Sequence, residues 1–208
     1  MLSNIRDRAM RWSREKKLDH FYSLRTSRQS VLDVGISPND WSDSVNVFMK
    51  RFRGDDSCYT GLAVENIDDI ARLNPGKSFC QYGGDTFPFK DKAFDWVFSN
   101  AVIEHVGGRE AQVLFLQEMC RVSRHVFFKT PNKYFPVESH TNTFFRHWSS
   151  TQFYRWCQEN QPHWSEKNLF LMSKEYLIGI LKEAGVKNYT IHANRVLGWP
   201  MTFTVVIT

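Results

Sequence analysis

Two kinds of side chain in this 208-residue sequence stand where they could do chemistry. The first kind closes short apolar runs. Asp33 and Gly35 end Val31-Leu32-Asp33-Val34-Gly35, Glu65 follows Tyr59 to Val64, and Gly83-Gly84-Asp85 follows Phe79 to Tyr82. Glycine at such a point lets backbone approach a ligand closely. A carboxylate at the next strand end is placed to accept both hydroxyls of a ribose. The second kind is histidine, whose ordinary pKa suits proton transfer near neutrality. His105 follows Glu104 just beyond Phe94 to Ser99, while His140 and His147 lie in a later aromatic stretch. His105 and His140 are the candidate bases, and Glu104, Asn132 and His147 the candidates for orienting an acceptor. No HExxH pair occurs, and Cys58, Cys80, Cys120 and Cys157 form no Cys-x-x-Cys pair. The expectation is therefore reduced thiols and no metal.

These residues need a frame. Val31 to Gly35, Tyr59 to Val64, Phe79 to Tyr82, Phe94 to Ser99 and His125 to Lys129 read as strands, the last stopped by Pro131. Helices are expected over Asp43 to Phe52 and over residues 109–122. The second of these carries the stripe Ala111, Leu114, Phe115, Met119 and Val122. A third begins at a Ser173 cap, buries Leu177, Leu181 and Ala184, and stops at Gly185. Strands near Asn188–Asn194 and Met201–Ile207 lie too close together for a helical crossover, so they should pair as an antiparallel hairpin at one edge. The alternation predicts an α/β fold, doubly wound, with a mostly parallel seven-stranded sheet and an antiparallel edge strand. Residues 131–172 interrupt it with thirteen aromatic and histidine side chains, among them Phe144, Trp148 and Trp164. This insertion leaves the carboxyl end of a strand, where open α/β sheets bind ligands.

The ordered set VLDVG, Glu65, Phe87-Pro88-Phe89, Phe94-Asp95-Trp96-Val97-Phe98-Ser99-Asn100-Ala101-Val102-Ile103-Glu104-His105-Val106 and Thr130-Pro131-Asn132-Lys133-Tyr134-Phe135-Pro136 resembles the class I S-adenosylmethionine-dependent methyltransferases. The likeness is to their type 11-like subgroup and covers roughly residues 30–145. It implies a Rossmann-like fold, S-adenosyl-L-methionine as cofactor and S-adenosyl-L-homocysteine as product. It also implies that Asp33, Gly35 and Ile36 flank the methionine part of the cofactor. Ser99, Asn100 and Ala101 would present backbone to its amino group. Glu65 would hold the ribose, with Asn66, Gly83, Gly84 and Asp85 around the adenine. Two positions depart from the pattern. The first loop runs Gly35-Ile36-Ser37-Pro38-Asn39 without a second glycine, and the usual adenine-side acid is replaced by Gly83, with Asp85 two residues on.

The implied activity is methylation, with oxygen of a small molecule or glycan as the first-choice acceptor. A non-catalytic binding or scaffold protein and a nucleic-acid methyltransferase are the alternatives. Charge weighs against the last. Residues 1–28 carry eight basic and three acidic side chains, which is the whole of the chain's +5 and leaves the body neutral. The expected organisation is a basic helical extension over 1–28 and a methyltransferase domain over 29–208. In the extension Leu2, Ile5, Ala9 and Trp12 recur at helical spacing. Packing of that stripe on the domain is the favoured reading, and peripheral contact with an anionic membrane the sharper one. Without an apolar segment of spanning or signal character, a cytoplasmic location is expected.

Overall fold

The computed structural model describes residues 18–40, 42 and 44–208. Seven strands form one sheet: β1 (Val31–Val34), β2 (Tyr59–Ala63), β3 (Ser78–Gln81), β4 (Phe94–Asn100), β5 (Ser123–Pro131), β6 (Tyr189–Val196) and β7 (Trp199–Ile207). Their spatial order is β3-β2-β1-β4-β5-β7-β6. The first five strands pair in parallel, and β7 runs antiparallel between β5 and β6. This is the expected doubly wound sheet. Strand order reverses between β1 and β4, which opens a crevice at their carboxyl ends. The terminal hairpin turns through Leu197 and Gly198, both at positive φ, the backbone of the tightest two-residue hairpin turns.

The central strands are buried on both faces, so alternate residues feed two cores. Leu32, Val34, Leu62 and Val97 pack under α4 (Arg109–Val122) and α6 (Lys174–Glu183). Val31, Tyr59, Trp96 and Phe98 pack on the opposite face, against Phe48 of α2 (Val47–Lys50) and Ile70 of α3 (Asp68–Leu73). Ser173 caps α6 as expected, accepting from the Tyr176 amide.

Four expectations are corrected. Residues 18–24 are helical (α1) and belong to the domain rather than to an appendage. Phe21 is fully buried and meets Phe48, Trp96, Phe98 and Phe127 edge-on, with ring centroids 5.2–5.5 Å apart. Arg25 is buried too, donating to the carbonyls of Gln29, Ser27 and Arg53. The Leu2–Trp12 stripe lies outside the described residues.

The helix expected up to Phe52 shrinks to the single turn of α2, because Asn46 adopts φ 50 and ties its side chain back to the Ser37 backbone. On α4 the buried face is Gln112, Val113, Phe115, Leu116, Met119 and Val122, and Leu114 points outward. Finally, β5 continues through Pro131. Beyond the Asn100–Lys129 pair β5 loses its β4 neighbour and pairs only with β7, and on such an edge a residue without an N–H is tolerated.

The insertion carries a second small core. α5 (Ser150–Asn160) buries Phe153 and Cys157 against Leu169 and Leu171. Among the described residues no helix is long and apolar enough to cross a membrane.

Candidate functional site

A cavity of about 160 Å³ opens at the carboxyl ends of β1 and β4. Period-two alternation turns Asp33 and Asn100 to the face that Val31 and Phe98 occupy, and both line it. Gly35 and Ile36 form its rim, with Leu18, Asn46, Val47 and Phe48 opposite. Gly35 sits at φ +98, and a Cβ there would lie 2.3 Å from Cγ2 of Val102, so no other residue fits. Where a second glycine is missing, Asn46 holds the loop instead. Its side chain accepts from the Ser37 amide at 3.0 Å and donates to the Ser37 carbonyl at 2.9 Å.

Asp33 is buried and accepts one hydrogen bond, from the Tyr59 hydroxyl at 2.6 Å. Burial raises its pKa to about 7, against the pull of that bond. A cationic ligand group in the cavity would shift the balance back towards the carboxylate. Just beyond β4, Ala101 is held at φ +58, a left-handed conformation costing about 1–3 kcal/mol in a non-glycine residue. The bond from its amide to the Lys129 carbonyl secures it. Such strain at the crevice fits a site feature better than a packing one.

The remaining residues expected at the cofactor do not line this cavity. Glu65, Asn66, Gly83, Gly84 and Asp85 are exposed beyond β2 and β3. Asn66 is also occupied, exchanging side-chain hydrogen bonds with Asp68 at the start of α3. The segment after Gly84 is pinned from α4. Glu118 accepts the Phe87 amide, and Arg121 donates to the carbonyls of Phe87 and Phe89.

Beyond β4 the fold gathers Glu104, His105 and His140, whose ligand-capable atoms all lie within 4.8 Å of one another. Glu104 is fully buried; one carboxylate oxygen accepts from the Thr130 hydroxyl at 3.2 Å, and the other has no partner. Burial pushes its pKa up, partly offset by His105 and His140. Nδ1 of His105 lies 2.7 Å from the Asn168 carbonyl. Nδ1 of His140 lies 2.7 Å from Oε1 of Glu138, itself buried. Burial alone would lower the His140 pKa, but the Glu138 bond and charge outweigh it, for a net rise. Trp164 packs against both imidazoles, at 5.8 and 5.3 Å between centroids.

His105 and His140 therefore meet, as the topology implied. The expectation of no metal rested on the lack of short ligand spacing, and tertiary structure brings residues 104, 105 and 140 together without one. Two acceptor candidates are engaged elsewhere. His147 is buried inside the insertion, its Nε2 on the Phe135 carbonyl at 2.7 Å, and burial lowers its pKa. Asn132 clips the end of β5 to the Pro200 carbonyl at 2.7 Å. Tyr59, Asn46, Glu138 and Trp164 were missed. Only Glu138, two residues before His140, left a local signal.

Residues 53–125 match the family model described as a methyltransferase domain. Over those residues the chain is similar to a methyltransferase domain, and the fold of the whole is that of the class I methyltransferases. Its class I fold recurs in a methyltransferase of Thermotoga maritima described as a possible histamine N-methyltransferase. The two share 15% identity at a TM-score of 0.58, over 99% of this chain and 95% of that one. The structure of DhpI with SAH is similar at a TM-score of 0.59 and 14% identity, over 96% and 85% of the two chains. A methyltransferase of Mesorhizobium loti gives 0.56 and 12%, over 86% and 89%. No curated protein sequence matches the chain.

Proposed function

We propose that this methyltransferase modifies a hydroxyl oxygen of a small molecule or glycan. When bound, S-adenosylmethionine supplies a sulfonium methyl already activated for transfer, so the chain's own task is positioning and proton handling. The residues fit that cofactor. Asp33 and Asn100 offer an anionic, polar end for its amino-acid part. Gly35 leaves room where a side chain would not fit. Ile36 closes the apolar side, while Ser99 and Ala101 flank Asn100 along the chain and do not line the cavity. Beyond the cavity, exposed Glu65 takes the ribose hydroxyls, and Asn66, Gly83, Gly84 and Asp85 border the adenine.

The observation that carries the oxygen reading is the Glu104–His105–His140 cluster. An amine acceptor needs little help beyond alignment, whereas a hydroxyl must give up its proton. Both imidazoles face an acceptor at Nδ1, so in the neutral ring Nε2 is the nitrogen left to take a proton. Trp164 packs against both rings and offers a flat apolar face beside them. A cytoplasmic location belongs to the same proposal, supported by four free cysteines.

Incubation with methyl-labelled S-adenosylmethionine and parallel arrays of alcohols, glycans, amines and polynucleotides tests the reading. Label is expected on oxygen, and His140→Ala should abolish it while leaving S-adenosylhomocysteine binding in place. Label on amines or polynucleotides, or undiminished O-methylation by that variant, would contradict it.

A further inference from the structure

Glu104 presents a difficulty that proton handling alone does not remove. A fully buried carboxylate oxygen without any hydrogen-bond partner is costly, and native proteins rarely leave one. Among the described residues no group donates to that oxygen. The Asn168 carbonyl can only accept, so Nδ1 of His105 carries its hydrogen and Nε2 is the bare atom. Oε1 of Glu138 accepts from Nδ1 of His140 in the same way, so in the neutral ring Nε2 is the nitrogen left to bind an ion. Three groups able to donate an electron pair thus converge, and one of them, Oε1 of Glu104, has no hydrogen-bond partner. The side chains that could relieve them are turned away and held. Thr141 is spent on Glu138, and Thr130 already serves the other Glu104 oxygen.

We propose that Glu104, His105 and His140 form a site for a divalent cation of the zinc class, with an open position that takes the acceptor's oxygen. The ion site stands on geometry alone, and only its occupant at the open position rests on the O-methylation reading above. Two imidazoles and one carboxylate are a donor set suited to zinc, ferrous iron or cobalt. Three protein ligands leave a coordination position free, the pattern of catalytic rather than structural sites.

The surroundings agree. Metal-bound histidines ordinarily donate their other N–H to a carboxylate or a carbonyl, and this pair shows one of each. Glu138 is fixed in turn by the His140 and Thr141 amides and the Thr141 hydroxyl. Trp164 walls the site with an apolar face. Ligand atoms within 4.8 Å of one another need only side-chain rotation to reach the roughly 2.0–2.2 Å bonds such ions take.

The consequence for chemistry is a change of roles. A cation at this point lowers the pKa of a hydroxyl at its open position. The O–H bond then breaks with its electron pair left on oxygen, and the proton passes to water. His105 and His140 serve as ligands in this account, and neither is consumed as a base.

The test is a titration of the full chain, stripped with a chelator, with Co²⁺ and then Zn²⁺. One equivalent of Co²⁺ should bind with the visible absorption of a four- or five-coordinate ion, and Zn²⁺ should displace it. Glu104→Gln, which keeps the shape of the buried side chain, and His140→Ala should each weaken Co²⁺ binding at least tenfold. Glu138→Ala, which frees the orienting partner, should weaken it about 10- to 100-fold. His192→Ala, in an imidazole pair with His20 elsewhere on the surface, should change nothing. No absorption band in the wild-type chain would overturn the proposal, as would loss of binding in His192→Ala or wild-type affinity in both Glu104→Gln and His140→Ala. S-adenosylhomocysteine titrated into the same samples separates the two readings. Cofactor binding without Co²⁺ binding sinks the ion alone, and the reverse sinks the methyltransferase reading and leaves the ion.

Discussion

The cavity at β1 and β4 and the cluster beyond β4 lie at the same end of the sheet but are built by opposite means. The cavity is local. Asp33, Gly35 and Asn100 come from two neighbouring parallel strands, and their facing follows from strand alternation. The cluster is assembled. Glu104 and His105 follow β4, His140 arrives from the insertion, and Asn168 and Glu138 fix the two rings from elsewhere. The cavity holds the buried carboxylate Asp33 and the cluster the buried carboxylates Glu104 and Glu138, and Asp33 and Glu104 are treated differently. Asp33 has a hydroxyl donor at 2.6 Å, whereas Glu104 keeps an oxygen with no partner. The lesson is that the cavity is nearly complete without a ligand, while the cluster is electrostatically unfinished.

The largest expected effect breaks the cavity side from behind. Phe21→Ala removes a fully buried ring that meets five aromatic neighbours, Phe98 of the cavity lining among them, and should cost about 3–5 kcal/mol in urea unfolding. A loss under about 1 kcal/mol would return α1 to the status of an appendage.

Next comes pH, which sharpens the contrast between the carboxylates. Asp33 has its folded pKa raised from 3.8 to about 7, so between those values the folded chain holds a proton that the unfolded chain has lost. Stability of the ligand-free protein should therefore fall as pH rises from about 4 to about 7 and level off above, by at most about 1.4 kcal/mol per unit. Subtracting the curve of Asp33→Asn from that of the wild type isolates this slope. An identical slope in both would place the effect elsewhere.

Gly35→Ala follows. It forces a side chain into a left-handed backbone and against Val102, at a cost of about 1–3 kcal/mol. S-adenosylhomocysteine binding should be lost with it, and Val102→Ala should recover part of the stability. Unchanged binding in Gly35→Ala would show that the rim is not where the ligand lies.

Smallest is Glu104→Gln. Removing a charge that has no complete set of partners should leave the melting temperature of the chelator-stripped chain unchanged or slightly higher, within about 1 kcal/mol. A large loss of stability would mean that the carboxylate is already satisfied, and the contrast with Asp33 would collapse.

The same contrast explains what could be read from residue order. Asp33, Gly35 and Asn100 were legible because a motif at a strand end and period-two alternation are both local properties. The doubly wound, mostly parallel sheet and the hairpin at its edge followed from the alternation of strands and helices. Asn46 escaped because a left-handed residue breaks the helix that its neighbours' spacing suggests. Phe21 escaped because its partners, Phe48, Phe98 and Phe127, are far along the chain. The basic side chains around it disguised a core residue as part of a charged leader. His147 and Asn132 were misplaced for the converse reason. Polar groups in an insertion can be spent on its own backbone, and only hydrogen-bond geometry reveals it.

The most direct test of the central claim is a calorimetric titration of the chain with S-adenosylhomocysteine, paired with thermal unfolding. One equivalent should bind, and at a hundred times the dissociation constant the folded state should gain about 2.7 kcal/mol. Glu65→Ala should weaken binding by roughly 1–3 kcal/mol with little change in ligand-free stability. Absence of heat and of any melting shift at millimolar ligand would contradict the account.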